Sequence, residues 1–317
     1  MKTLAIPILL TALLFFWISA DAQKPVLTKL PFAFSQNGRT PMENTPILWG
    51  HQLLLVSNYR PGGAEAKGKD AYLYIDDMQT GQEVARFGQG HSFVSAYLND
   101  NELNVFALDF TDFGHKMNST GIDRITSADL KTWKTEKVIL PEGNEHLFNS
   151  SVCKDEKGYL MAYESDKPVQ FCFKFARSTN LAKWEKIPNL VFTGLKHEYS
   201  SCPVIRYIKP YYYVIYVHEP FKGHDGWNSF LIRSKDLDTW EYSPYNPILE
   251  AAAGEGKNNS DTDLLEYEGK TYLYYATGDQ ETWSTVRVAQ FNGSEKSFFE
   301  GHFPEGKKFL KTTTKPQ

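Results

Sequence analysis

The stretch Ser234–Trp240, SKDLDTW, occurs twice more in variant form, as SADLKTW at Ser127–Trp133 and STNLAKW at Ser178–Trp184. The copies start 51 and 56 residues apart. Each reads as a tight turn between two strands: Ser and Asp or Asn side chains bond back to their own backbone, the Leu tucks beneath the turn, and the Trp opens the next strand facing the core. A helix capped by the Ser is the competing reading, but strand-like segments flank every copy and the Trp follows too soon.

A second repeat lies upstream of these turns. It consists of a small polar cluster, an apolar strand, a short turn, and another apolar strand ending in a polar group. Five copies are present: MENTPILWGHQLLLVSNYR from Met42, HSFVSAYLNDNELNVFALDF from His91, FNSSVCKDEKGYLMAYES from Phe148, EYSSCPVIRYIKPYYYVIYVHE from Glu198 and NNSDTDLLEYEGKTYLYYATGD from Asn258. Period-2 alternation in YYYVIYV and TYLYYAT, rich in aromatic and β-branched residues, marks strands, and helical periodicity is nowhere sustained. Repeats of this length, each unable to bury its faces alone, predict propeller blades. The expected fold is all-β: a five-bladed β-propeller of four-stranded antiparallel blades around a central channel, with boundaries near residues 31, 88, 142, 194 and 252. The final KKFLKTTTKPQ is expected to supply a closing strand or to be disordered.

The N-terminal MKTLAIPILLTALLFFWISADA, residues 1–22, has an early lysine, an apolar run and an Ala-Asp-Ala cleavage pattern, and reads as a secretory signal peptide. Its apolar run contains Pro7 and is too short to span a bilayer, and no later segment replaces it. Residues 23–317 are therefore expected to form one secreted or periplasmic propeller domain without a membrane anchor. A formal charge of −4 and the lack of a long Lys/Arg run argue against a nucleic-acid partner. Three cysteines, Cys153, Cys172 and Cys202, read as small buried apolar residues. No Cys-x-x-Cys pair or close His/Asp spacing marks a metal site, and no cofactor is expected.

In a propeller the innermost strand starts at one face of the channel and the second strand returns to that face. The residues before strand one and after strand two therefore ring one pocket. The first ring comprises Glu43 and Asn44, His91 and Ser92, Asn149 and Ser150, Glu198 to Ser201, and Asp261 and Asp263. The second comprises Arg60, Asp109, Glu164, Glu219 and Asp279. A lone Asp, Asn or Ser at a strand start is an ordinary turn-former; recurrence at one register in separate blades points to a shared acidic mouth.

These turns, together with the polar-cluster-then-GKTYLYYA strands, resemble the five-bladed propeller glycoside hydrolases typified by family 43, with families 32, 68, 117 and 130 as relatives. The resemblance covers most of the chain after the leader. It implies three acids from three blades: an early Asp base, an orienting Asp, and a Glu acid before a Gly-Pro. This chain departs from that pattern, offering Glu43 for the base, Asn149 for an expected Asp, and Ser201 two residues before Pro203 where the Glu would stand. Glu198 is the first choice as acid, Asp261 as base or orienting group, and Glu43 as alternative base; Glu164 and Glu219 are available replacements. Asp263, Asn149, Glu164, Glu219, His91, Arg60, Trp227 and Tyr199 are the candidate substrate-binding residues. Such a cluster suits glycoside hydrolysis, which needs one carboxyl kept neutral and one ionised. The expected function is exo-acting hydrolysis of an oligo- or polysaccharide, by inversion if the family 43 likeness holds. The alternative is a propeller that binds glycan without cleaving it.

Overall fold

The computed structural model describes residues 24–33, 39, 41–60, 68–109, 121–195, 198–279 and 283–314, so the expected leader lies outside the described residues. The first strand, β1 (Leu27–Ala33), does not open the first blade. That blade is β2 (Asn44–Trp49), β3 (Gln52–Tyr59), β4 (Tyr72–Asp77) and β5 (Glu83–Phe87), paired in chain order. The second is β6 (His91–Asn99), β7 (Glu102–Asp109), β8 (Ile122–Ser127) and β9 (Lys134–Ile139), and the third is β10 (Leu147–Asp155), β11 (Gly158–Ser165), β12 (Cys172–Ser178) and β13 (Glu185–Phe192). The fourth comprises β14 (Ser200–Ile208), β15 (Tyr211–His218), β16 (Asn228–Ser234) and β17 (Thr239–Tyr242).

The fifth blade takes β18 (Asn258–Tyr267), β19 (Lys270–Gly278) and β20 (Ser284–Phe291), and its outer strand is β1, paired antiparallel to β20. Lys29 on β1 donates to the Glu255 carboxylate and, at 2.8 Å, to Asn259 Oδ1, which ties the first described strand to the last blade. The C-terminal tail therefore closes no blade of its own. After one short helix, α1 (Glu295–Gly301), the tail strand β21 (Lys311–Thr313) pairs with β17 and becomes a fifth strand of the fourth blade. The outer edge of the fifth blade is already occupied by β1. No helix among the described residues is long and apolar enough to cross a membrane.

The three repeated turns occupy the same place, between the third and fourth strands of blades two, three and four. In each, the Ser hydroxyl accepts the Leu N–H, at 2.8 Å for Leu130, 2.9 Å for Leu181 and 2.8 Å for Leu237. The Asp or Asn oxygen accepts two backbone N–H groups further along, for instance Asp238 N at 2.9 Å and Thr239 N at 2.8 Å on Asp236. These bonds hold the three leucines at φ of 59°, 65° and 66°, a left-handed conformation leucine rarely adopts. What the turn positions is the Trp. Trp133 stacks on Phe87 of the first blade at 3.7 Å, Trp184 meets Phe106 of the second edge-on, and the fully buried Trp240 lies between Phe173, Phe175 and Phe192 of the third. Each Trp fastens its blade to the one before it.

The inner strands β2, β6, β10, β14 and β18 surround one channel. Its wider end holds about 380 Å³ and meets all five, through Leu48, Leu98, Val152, Arg206 and Leu264 among others. It narrows to a waist of about 20 Å³, again lined by all five inner strands. Beyond the waist it opens into a pocket of about 220 Å³.

Candidate active site

Beta-bulges build this pocket. In four of the five inner strands two residues stand opposite one on the neighbouring strand: Phe93 and Val94 against Ala107, Phe148 and Asn149 against Glu164, Cys202 and Pro203 against Tyr216, and Asp261 and Thr262 against Tyr275. The extra residue breaks the ladder and re-aims a side chain. Phe93, Cys202 and Asp261 take it at φ of 54°, 48° and 50°. For non-glycine residues this conformation costs on the order of 1–3 kcal/mol each, and it persists where the surroundings impose it. Blade one has no bulge in its inner strand, and Glu43 stands just before β2 instead.

Among the described residues, three carboxyls from three blades line the pocket: Glu43, Glu164 and Asp261. Glu164 is 2% exposed, and its Oε2 accepts Asn149 Nδ2 and Cys202 N, both at 2.9 Å. Burial raises its carboxyl to about 8; the two donors oppose the rise, and the nearby charges of Asp261 and Glu43 add to it. Asp261 is raised to about 6, first by burial and then by Glu43, while a hydrogen bond from Ser260 at 2.6 Å, the nearby Cys202 thiol and the Arg60 charge pull it back. Glu43 Oε1 is 3.5 Å from Arg60 Nη2, and its buried Oε2 has no hydrogen-bond partner among the described residues. The Arg60 guanidinium packs over the Phe93 ring, 4.2 Å from its centroid. One buried acid thus keeps its proton near neutral pH beside an ion-paired carboxylate, the division of labour that acid–base chemistry requires.

Much of the remaining lining is aromatic. Phe93, Phe148, Phe171, Tyr199 and Trp227 form a chain of ring contacts with centroids 5.8, 5.3, 4.6 and 4.5 Å apart. A sugar ring in this pocket would meet both apolar ring faces and hydrogen-bonding groups.

Of the residues singled out from sequence, Glu43, Asp261, Asn149, Glu164, Arg60, Tyr199 and Trp227 come together here. Others lie elsewhere. Glu198 pairs with His218 Nε2 at 3.2 Å. Glu219 Oε1 accepts Tyr199 N at 3.4 Å and does not line the pocket. His91 is buried against Asp123 at 3.0 Å, and Asp263 is held at the waist by Arg206 at 2.5 Å. Asp109 pairs with Lys137 at 3.2 Å, and Asp279 Oδ1 accepts Trp283 N at 3.1 Å. Sequence reasoning passed over Cys202, Phe93, Phe148 and Phe171. A signal for two of them exists: Ser92-Phe93, Ser201-Cys202 and Ser260-Asp261 place a Ser before the bulge residue in three copies.

No protein-family model matches the chain, and no curated protein matches it. Solved structures do. The chain is similar to BT0996, solved as an RGII complex (TM-score 0.67, 13% identity, covering 83% of this chain and 92% of that one). It is similar to a glycosyl hydrolase from Bacteroides ovatus (TM-score 0.59, 11% identity, 84% and 94% covered). It is also similar to the β-1,2-mannobiose phosphorylase of Listeria innocua (TM-score 0.58, 11% identity, 87% and 96% covered). At these identities the likeness is one of fold: this chain is a five-bladed β-propeller of the architecture found in glycoside hydrolases and glycoside phosphorylases.

Proposed function

We propose that the chain is an exported glycosidase that removes a terminal sugar from an oligo- or polysaccharide, with Glu164 as general acid, Glu43 as general base and Asp261 as the group that sets the acid. The observation that carries this reading is the convergence of the three carboxyls on one small pocket, with the most deeply buried of them raised to about 8. Its volume of about 220 Å³ suits one sugar unit, and the waist beneath it leaves a bound chain little room to continue through the channel. Hydrolases and a phosphorylase of glycosidic bonds among the structural neighbours support the same class of substrate. Export rests on the leader reading of residues 1–22.

In this mechanism Glu164 gives its proton to the leaving glycosidic oxygen as that bond breaks, and Glu43, ion-paired with Arg60, takes a proton from the attacking water. Asp261 contributes its charge, which favours the proton on Glu164 before reaction. The aromatic wall and Asn149 orient the sugar. The rate should fall above about pH 8, as Glu164 loses its proton.

The test is turnover of a panel of aryl glycosides and natural oligosaccharides, with and without phosphate, and with the product anomer followed by NMR. Glu164→Gln and Glu43→Gln should each lower turnover by roughly 10²–10⁴, while calorimetric affinity for the cleaved oligosaccharide stays within about threefold of wild type. Absence of wild-type turnover across the panel, with glycan binding retained, would overturn the enzymatic reading in favour of a binding propeller.

A further inference from the structure

Trp283 stands immediately before β20, on the face of the propeller where the inner strands begin. The same position, one residue ahead of the third strand, is taken by Phe171 in the third blade and Trp227 in the fourth: there Cys172 pairs with Ser165 and Asn228 with His218, as Ser284 does with Gly278. Phe171 and Trp227 both line the pocket, each in ring contact with Tyr199. Trp283 does not line it, and at 40% exposure it is the only exposed Phe, Tyr or Trp among the described residues. A single exposed aromatic needs no function by itself, but this one is held in place. Its backbone N–H donates to Asp279 Oδ1 at 3.1 Å, and its carbonyl accepts Asp279 N at 3.2 Å. The indole lies against Gly278, where a Cβ would come within 3.0 Å of ring atom Cε3. Gly278 pairs with Asn258, whose side-chain oxygen accepts Trp227 N at 3.0 Å. On the other side, Ser284 Oγ donates to Pro41 O at 2.9 Å, next to Met42 of the pocket lining. Trp283 therefore sits at the rim between Trp227 and Met42.

We propose that Trp283 is a stacking platform for the second sugar of the substrate, the unit from which the terminal sugar is cleaved. The inference rests on the reading of the pocket as the site of the terminal sugar and deepens it. A pocket of about 220 Å³ takes one sugar unit, and the waist of about 20 Å³ closes the way through the channel. The rest of an oligosaccharide then leaves through the mouth, past the rim that carries Trp283. A sugar ring presents an apolar C–H face, and a fixed indole meets that face at low entropic cost while the hydroxyls stay in water. One position in three successive blades thus does two jobs: the rings of Phe171 and Trp227 enclose the first sugar, and the ring of Trp283 faces solvent and receives the second. The substrate class that follows is an oligosaccharide of at least two units.

The test is calorimetric titration of Glu164→Gln protein, which turns over too slowly to consume its ligand, with the natural tetrasaccharides of the panel and with the methyl glycoside of each terminal sugar. Adding Trp283→Ala should weaken tetrasaccharide affinity about tenfold and leave methyl glycoside affinity within about twofold, and Trp283→Phe should recover most of the loss. If Trp283→Ala does not fold, Trp283→Leu keeps an apolar side chain against Gly278 without a flat face and carries the same expectation. Undiminished tetrasaccharide affinity, or an equal loss for both ligands, overturns the proposal. Absence of binding by any glycan of the panel overturns it together with the reading of the pocket. Glycans that the wild type binds but does not cleave defeat the hydrolytic reading alone, because the platform is read from binding without turnover.

Discussion

Glu164 sets folding against chemistry. Its folded-state carboxyl titrates near 8, above the ordinary value of 4.5, so the folded protein holds a proton there that the unfolded chain releases. By linkage its contribution is fully present below about pH 4.5 and is lost as the pH rises through 8. Asp261 acts in the same direction between 3.8 and about 6. Many other carboxyls act the opposite way, such as Asp129, held down to about 2 by the backbone N–H groups of Thr132 and Lys131, so the whole protein's pH curve mixes both. A difference measurement isolates the acid. Glu164→Gln keeps an oxygen for Asn149 and Cys202 but never carries charge. Its melting temperature should match wild type at pH 5 and exceed it by at least about 2–4 °C at pH 8, equivalent to roughly 1 kcal/mol in a chain of this size. A gap that stays the same between pH 5 and pH 8 would show that Glu164 ionises as readily in the folded state as in the unfolded chain. If the gap opens as expected, catalysis explains why the residue is a glutamate and not the more stable amide.

At the scale of the element, the turn after the third strand is a small machine for placing a Trp. The Ser and Asp bonds hold the Leu at positive φ, and Trp240 then donates its indole N–H to Leu237 O at 3.0 Å while its ring fills the gap to the third blade. Trp240→Ala should cost about 3–5 kcal/mol, because a fully buried ring at a blade interface leaves a cavity. Ser234→Ala, which removes one acceptor from two N–H groups, should cost about 1 kcal/mol. Urea unfolding of the two variants checks the ranking, and equal losses would mean that the turn, not the ring, carries the interface. The turn was legible in sequence because the hydrogen bonds that build it fall within seven residues. The bulges were not legible, since a bulge is a mismatch between two strands and neither strand alone records it.

Across the whole molecule, closure joins β1 to the fifth blade, and Lys29 is the bolt. It meets the Glu255 carboxylate, whose side chain is 4% exposed and also accepts Tyr275 OH at 2.7 Å. Lys29→Met would leave Glu255 buried and short of its cation, and breaking a buried pair from one side typically costs about 3–5 kcal/mol. The half-open position of Lys29 puts the expected loss at the lower end of that range. Thermal unfolding should show it, together with faster proteolysis near the N-terminus. An unchanged melting temperature would mean that the strand pairing alone closes the ring.

The sequence by itself determined the blade number, the strand content, the shared place of the three Trp turns and the acidic character of one channel mouth. Each of these repeats along the chain, and repetition survives without coordinates. Which acids meet was decided only by the tertiary structure. Glu198 and Glu164 look alike as carboxylates at the ends of apolar segments, yet one pairs with His218 while the other is buried in the pocket. The closing strand was decided the same way, since both termini offered a short strand and only the packing of the fifth blade selects β1. The physical reason is common to both cases. A side chain's neighbours in a propeller come from blades about fifty residues away, and one residue of bulge turns a side chain from the sheet into the channel.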